Sequence, residues 1–163
     1  MRSILTLPDA GLRQTSRRVD RFDGALGELC DELTATMRAG PGGVGIAAPQ
    51  IGEPQRVVIV DCSVSRRPCK NHGLLRMVNP EIVETSVQKT LGREGCLSVP
   101  EWVGMVSRSR EVRVRFHDVA GVVREIACSG FEARVVQHEV DHLDGVLFID
   151  HIVSIQDLVR RMQ

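Results

Sequence analysis

The sequence contains no long apolar run. No stretch approaches the roughly 18 consecutive apolar residues that a membrane-spanning helix needs. The apolar run near the amino terminus is cut at Pro8 and is too short for the core of a secretory signal. We therefore expect a cytoplasmic protein that has no membrane partner.

Two other features are absent: an excess of charge of one sign and a pattern of paired cysteines. Lys and Arg number 21, as do Asp and Glu, so there is no basic excess to indicate a specific nucleic-acid partner. The five cysteines are odd in number, scattered, and without a C-x-x-C spacing. This distribution favours a reducing compartment and argues against a disulfide framework.

The length and the hydrophobic periodicity predict one domain over residues 1–163 with an α+β fold. Spacing of apolar residues predicts amphipathic helices over 23–40 and 130–145, and a short β-branched run over 56–61 indicates a strand. Alternation over 111–128 predicts a hairpin. Because strands and helices do not alternate regularly, we expect largely antiparallel or mixed sheets packed around a central, motif-bearing helix.

The stretch "QHEVDHLDG" places two histidines four residues apart around a glutamate. On a helix, His138 and His142 would lie one turn apart on the same face and could bind one metal ion. Glu139 would then stand beside that ion. Two ligands hold a metal weakly, so the third ligand decides which kind of site this is.

The residues after Glu139 argue against a metallopeptidase. No further Glu follows Glu139, which excludes the group of zinc proteases that take their third ligand from a later glutamate. Phe148 stands where the extended H-E-x-x-H-x-x-G-x-x-H motif has its last histidine, and His151 comes three positions later. The third ligand must come from upstream, and Cys96 in "REGCLSVPE" is the strongest candidate.

Three segments resemble, in order and spacing, the motifs of peptide deformylases. They are "GVGIAAPQ" (43–50), "EGCLS" (94–98) and "QHEVDHLDG" (137–145). The resemblance extends to "LPDAGLRQ", "VNP" and "GVLFID", so it spans nearly the whole chain. It implies an enzyme that removes the N-formyl group from the N-terminal formylmethionine of newly made polypeptides and releases formate.

The resemblance also implies a metal site formed by Cys96, His138 and His142. Three protein ligands and an open fourth position are typical of a catalytic centre. One divalent ion is expected, natively Fe(II), which Zn, Ni or Co can replace because a thiolate and two imidazoles bind all four.

Further roles follow from the same resemblance. Glu139 would move the proton of the attacking water, while the side-chain amide of Gln50 and the backbone N–H of Leu97 would hold the oxyanion. Without the resemblance, Gln50 would be read as an ordinary polar loop residue. The substrate-binding residues would be Val44, Gly45 and Gly95, which offer main-chain bonds, and Phe131 and Val135, which line an apolar pocket or belong to the core.

Several residues depart from the family pattern. Arg134 and Gly92 stand where some members have aliphatic or bulkier pocket residues, so the side-chain preference is open. Val103 replaces a basic residue that holds the peptide in some members, with Arg108 or Arg110 as substitutes. We interpret the "SRSREVRVR" run, which contains Arg108 and Arg110, as a solvated strand face rather than a docking site. Transient contact with the ribosome stays open.

The segment 63–73 is predicted to form a long exposed loop. Cys69 and His72 within it are expected to be surface residues rather than metal ligands.

Two alternatives to the main hypothesis concern the function of the whole protein. One is a catalytically silent homologue that binds peptide or metal, and the other is an enzyme that acts on a different N-formyl substrate.

Overall fold

The structure is a computed structural model that describes residues 2–161. Two α-helices and eight strands are assigned in that part of the chain, joined by short 3-10 turns. The helices are α1 (Gly24–Ala39) and α2 (Gly130–Leu143). The strands are β1 (Gly45–Ala47), β2 (Val57–Asp61), β3 (Leu74–Thr85), β4 (Lys89–Cys96), β5 (Val99–Ser109), β6 (Glu111–His117), β7 (Val123–Ser129) and β8 (Leu158–Arg160).

The strands form two antiparallel sheets. The larger sheet has the order β1-β2-β3-β6-β7, and the smaller has the order β4-β5-β8. Each pair of neighbouring named strands is antiparallel, which confirms the predicted α+β class. Strands β1 and β4 are each at the end of their sheet, so each pairs along one side only.

Helix α1 begins and ends where the sequence pattern predicts. The carboxylate of Asp23 accepts a hydrogen bond from the backbone N–H of Leu26 and caps the start. The backbone N–H of Gly40 donates to the carbonyl of Met37 at the end. The apolar stripe of α1 packs on one face of the larger sheet.

Strand β2 is buried on both faces, which explains its uninterrupted apolar run. Val57 and Ile59 belong to the core that α1 covers. Val58 and Val60 alternate with them and belong to the core that α2 covers. The larger sheet is therefore a layer between the two helices.

Helix α2 is buried along most of its length and packs on β1, β2 and β7 as well as on β5 of the smaller sheet. It is thus the central helix that the sequence predicted. Gly145, just beyond it, has a positive φ of 72° and donates its N–H to the carbonyl of His142, as expected for a glycine that ends a helix.

The apolar periodicity did not predict strands β1, β3, β4, β5 and β8. In β4 the side chains are mostly exposed and two of eight residues are glycines, Gly92 and Gly95, so no regular apolar alternation marks it. Its place in the sheet comes from pairing with β5, a contact that local sequence does not encode.

Neither α1 nor α2, the helices within residues 2–161, combines the length and the apolar character of a membrane-spanning helix.

Candidate active site

Cys96, His138 and His142 come together at the junction of the two sheets. Cys96 ends β4, where the β4–β5 register shifts between Gly95 and Cys96, and the two histidines lie on α2. The Sγ atom of Cys96 lies 3.3 Å from Nε2 of His142. All three side chains are buried, and one donor atom from each lies within 4.8 Å of the others.

These donors suit a divalent metal. Ligand bonds of about 2.0–2.3 Å around a tetrahedral ion require donor atoms roughly 3.3–3.8 Å apart, which the Cys96–His142 separation meets. The Nδ1–H of His138 donates to Oε1 of Glu94 at 2.8 Å, which leaves Nε2 free to bind the ion. Burial, followed by the nearby His138, holds the pKa of His142 well below its usual range, so this imidazole stays neutral.

Glu94 is the buried partner that orients His138. Its carboxylate accepts hydrogen bonds from Nε and a terminal nitrogen of Arg108 at 2.9 and 3.0 Å, and from Arg134 at 2.8 Å. Burial disfavours its charged form, but the bonds from His138 and Arg108 outweigh that effect and lower its pKa to about 2. Glu94 lies in the "EGCLS" motif, but no role was predicted for it from the sequence.

In "SRSREVRVR", Arg110, Arg113 and Arg115 are exposed, as predicted for a solvated strand face, but Arg108 is not. The side chain is buried, and it also pairs with Asp141 at 2.6 Å. The β4–β5 register brings Arg108 opposite Thr90 on the strand that carries Glu94, so its charge is used inside the protein. Arg108 is therefore not a free substitute for the basic residue that Val103 replaces, whereas the exposed Arg110 does line the cleft described below.

Glu139 is buried and points its carboxylate towards the three ligands. Its Oε1 lies 4.0 Å from Nε2 of His138, and its Oε2 has no hydrogen-bond partner among the described residues. Burial raises its pKa to about 7, against the opposing effect of His138. A carboxyl group with such a pKa can both take up and release a proton near neutral pH.

Gly45 on β1 leaves the space that the Glu139 side chain needs. A Cβ atom at position 45 would lie 2.8 Å from Oε1 and 2.9 Å from Cγ of Glu139, and 2.9 Å from a methyl of Val135. No ordinary packing allows such contacts. Any other residue at position 45 would therefore displace the side chain of Glu139 or Val135, and the glycine avoids this conflict.

Gln50 is held with its amide nitrogen directed at Cys96. Its Oε1 accepts from the backbone N–H of Ala47 at 2.9 Å, which fixes the plane of the amide. Its Nε2 donates to Oγ of Ser98 at 3.0 Å and lies 3.7 Å from Sγ of Cys96. Leu97 follows Cys96, and both Gln50 and Leu97 line the same cleft as the metal ligands.

That cleft has a volume of about 1150 Å³ and is flanked by β1 and β4, each of which is at one end of its sheet. With the exception of His142, which lies behind it, every candidate site residue borders the cleft. The carbonyl of Val44 already accepts the N–H of Asp61 at 2.8 Å. The residues that border the cleft include Val44, Gly45, Gln50, Gly95, Cys96, Leu97, Phe131, Val135, His138 and Glu139.

Phe131 and Val135 form one wall of the cleft beside the metal ligands. Phe131 is 39% exposed, so it is not plain core, whereas Val135 is buried and contributes to both the core and the cleft. The guanidinium of Arg134 points away from this wall and donates hydrogen bonds to the carbonyls of Val106 and Thr90, at 2.8 and 2.7 Å. The group lies over Gly92, where a Cβ would approach its carbon to 2.7 Å.

Phe148 and His151 bear out the sequence argument against the extended protease motif. The ring of Phe148 stacks on His138, with centroids 6.2 Å apart, and offers no ligand. Nε2 of His151 lies 2.9 Å from Asp141 instead of facing the metal ligands. The third ligand is Cys96.

Comparison with known proteins gives consistent matches along the chain. A family model described as polypeptide deformylase matches residues 1–157. The chain is 41% identical to a peptide deformylase of Mesorhizobium japonicum, covering 96% of this chain and 86% of that protein. It is 42% identical to a peptide deformylase of Bartonella tribocorum, covering 99% of this chain and 90% of that one.

Solved structures match equally well. The chain resembles a class I type b peptide deformylase of Acinetobacter baumannii bound to K3U, with a TM-score of 0.86 and 40% identity over 93% of this chain and 98% of that one. A structure of the same enzyme bound to Met-Ala-Ser matches with a TM-score of 0.85 and 39% identity, over 91% of this chain and 97% of that one.

The metal site predicts a specific loss on removal of its thiolate. We expect Cys96→Ala to lose one equivalent of tightly bound divalent metal per chain, because two imidazoles alone hold the ion weakly. Elemental analysis of the desalted protein measures this. Cys30→Ala, which removes a buried thiol on α1, should keep the full metal content. Equal metal content in the two variants would remove Cys96 from the site.

Proposed function

Because the chain belongs to the polypeptide deformylase family and is a metal-dependent peptide deformylase, we propose that it removes the formyl group from N-terminal formylmethionine of newly made polypeptides. Formate and a free amino terminus are the products. The observation that carries the proposal is the buried Glu139 carboxylate, which lies beside a Cys96, His138 and His142 site that opens on a cleft.

We propose Fe(II) as the native metal. When bound, a divalent ion lowers the pKa of a water ligand and supplies hydroxide near neutral pH. Cys96, His138 and His142 would hold it. The thiolate and imidazole donors also accept Zn, Ni or Co, so exchange during purification is expected.

In the proposed mechanism Glu139 carries the proton. It takes the proton of the attacking water and delivers it to the formamide nitrogen as the C–N bond breaks. The position of Oε2 supports this role, because no protein group among the described residues occupies that oxygen and it stays available to the attacking water.

Gln50 and Leu97 would stabilise the negative charge that develops on the formyl oxygen. The Ala47 N–H orients the Gln50 amide before substrate arrives, so the Nε2 donor is already in place. The backbone N–H of Leu97, next to Cys96, is the second proposed donor. Each such donor contributes on the order of 3 kcal/mol in other hydrolases.

The peptide would lie extended between β1 and β4. Both strands have a free side at the cleft, which suits main-chain bonds from Val44, Gly45 and Gly95. The Val44 carbonyl keeps one lone pair after its bond to Asp61. The relative bound to Met-Ala-Ser shows that such a tripeptide fits the related fold.

The methionine side chain would enter the cleft beside Phe131 and Val135. Arg134 contributes its aliphatic stem to this wall, while its guanidinium fills the space over Gly92. The two departures from the family pattern therefore compensate each other, because the arginine occupies the volume that a larger residue 92 would take. We propose that a methionine-sized pocket is retained.

Cytoplasmic location stays a prediction. The five free cysteines within residues 2–161 support it, because a reducing compartment keeps thiols unpaired. Transient contact with the ribosome also stays a prediction. The organisation of residues 1–163 as one domain agrees with a family match over 1–157 and is proposed on that basis.

The proposed substrate is tested by formate release from formyl-Met-Ala-Ser, measured anaerobically with metal analysis of the same sample. We expect turnover that follows the Fe(II) content. Faster release from formyl-Leu peptides or non-peptide formamides would indicate another N-formyl substrate. Peptide binding without any formate release would indicate a silent homologue.

Glu139→Gln should lower the rate of formate release by about 10²–10⁴-fold, because the amide cannot carry the proton. The metal content should not change, since Glu139 is not a ligand. Steady-state kinetics and elemental analysis test both statements. Glu125→Gln, at a partly exposed position on β7, is the matched control and should keep full activity. Robust turnover by Glu139→Gln would overturn the mechanism.

Gly45→Ala should lower kcat because the new methyl group displaces the Glu139 carboxylate. We expect a loss of at least about 10-fold, because a displaced carboxylate forfeits part of the roughly 10²–10⁴-fold that a positioned proton carrier contributes. Gly27→Ala on α1 is the control, since a Cβ there has no atom within 4 Å and alanine favours helix. Unchanged kcat in Gly45→Ala would show that the carboxylate has room to move.

Gly92→Ala should force the Arg134 guanidinium out of its bonds and into the pocket, which raises KM for formyl-Met-Ala-Ser. Adding Arg134→Leu should relieve part of that effect because the clashing group is gone. A double-mutant cycle on KM and on the free energy of unfolding should give a coupling of about 0.5–3 kcal/mol. Additive effects would contradict the compensation.

A further inference from the structure

A second group of metal-ligating side chains lies outside the catalytic site. His72 precedes β3, Cys128 is near the end of β7, and Glu132 is in the first turn of α2. One donor atom from each lies within 4.8 Å of the others. Glu132 lies about 120° around the axis of α2 from His138, so it belongs to a different face of the helix.

We infer that His72, Cys128 and Glu132 form a second site for a divalent cation of the zinc class. Imidazole, thiolate and carboxylate are the three donor types that zinc takes in proteins. Nothing in the deformylase chemistry uses these residues, so the inference is independent of the proposed function. His72 is exposed, as the sequence predicted, and the inference adds a ligand role at that surface position.

The burial of Glu132 is the first support. Its side chain is 1% exposed, although a carboxylate is rarely buried without a compensating charge. Both of its oxygens are contacted by His72: Nδ1 lies 2.6 Å from Oε1, and the backbone N–H donates to Oε2 at 2.7 Å. The His72 ring is 37% exposed, which gives the site an opening to solvent.

The concentration of thiols around Glu132 is the second support. Cys128 and Cys62 are buried in the same core cluster, and the partly buried Cys69 packs against it. Three of the five cysteines thus lie in one neighbourhood, and Cys128 is the one whose sulfur comes within 4.8 Å of donor atoms of His72 and Glu132.

Binding would proceed with a defined exchange of protons. The Cys128 thiol releases its proton to solvent as the sulfur binds the ion, and His72 gives up its hydrogen bond to Glu132 to offer a ring nitrogen. The carboxylate then binds through one oxygen while the other keeps the His72 backbone N–H. Solvent on the exposed side of His72 completes the coordination.

Occupation of this site would fix one wall of the substrate cleft. Residues 65–69 line the cleft and lead directly to His72. A metal that joins His72 to Cys128 and Glu132 would fasten this segment to β7 and α2. A His72–Glu132 ion pair alone would tether the loop less firmly, and the two arrangements differ in metal content.

The test counts zinc in the full-length protein after anaerobic loading with excess Zn(II) and desalting. We expect two equivalents in the wild type, and one in each of His72→Ala, Cys128→Ser and Cys96→Ala. Cys30→Ser, a buried thiol on α1 away from both sites, should keep two. One equivalent in the wild type and none in Cys96→Ala would overturn the inference.

A second measurement isolates the new site and does not depend on catalysis. In Cys96→Ala, Zn(II) should raise Tm in a concentration-dependent way, because the ion binds the folded state. Co(II) should give a thiolate charge-transfer absorption band that Cys128→Ser abolishes. If Cys128→Ser does not fold, His72→Ala replaces it in the same measurement, because the His72 ring is partly exposed and its removal disturbs the core less. Zinc-independent Tm in Cys96→Ala would show that His72 and Glu132 form an ion pair only.

Discussion

The hydrogen bond between Nδ1 of His138 and Glu94 connects the chemistry of this protein to its architecture. Glu94 lies on β4, His138 on α2, and Arg108 on β5, so one carboxylate joins the smaller sheet to the central helix. Because that bond determines which ring nitrogen of His138 faces the cleft, the metal site depends on the docking of the two sheets. A buried carboxylate between two arginines and a histidine keeps its charge through these partners.

This network also explains why so many charged groups are buried in a small core. Arg108 contacts both Glu94 and Asp141, and Asp141 in turn contacts His151 beyond the end of α2. Replacing one member would leave another buried charge without a partner, which is more costly than removing the whole set. The network therefore favours one arrangement of the helix over alternatives that apolar packing alone would permit.

The sequence predicts those parts of the fold whose cause is local. The Asp23 cap and the apolar stripe determine α1, the run before Asp61 marks a strand buried on both faces, and the four-residue spacing of His138 and His142 gives two ligands on one side of a helix. What the sequence could not supply by periodicity depends on pairing between distant strands. The exposed and glycine-containing β4 has no local signal, so Cys96 was identified by the lack of a downstream ligand and by a motif rather than by periodicity. Arg108 was misread because its partner is 14 residues away on another strand.

The free sides of β1 and β4 have a consequence for the range of substrates. An unpaired strand edge offers backbone N–H and C=O groups, which are the same for any amino acid sequence. Two such edges that face one narrow cleft admit a single extended chain and leave no room for another sheet, so they escape the self-association that open edges invite. In the proposed binding mode, an enzyme built this way would read the first residue of a polypeptide in a pocket and the following ones by their backbone. One binding site would then accept polypeptides that differ in sequence after the first residue.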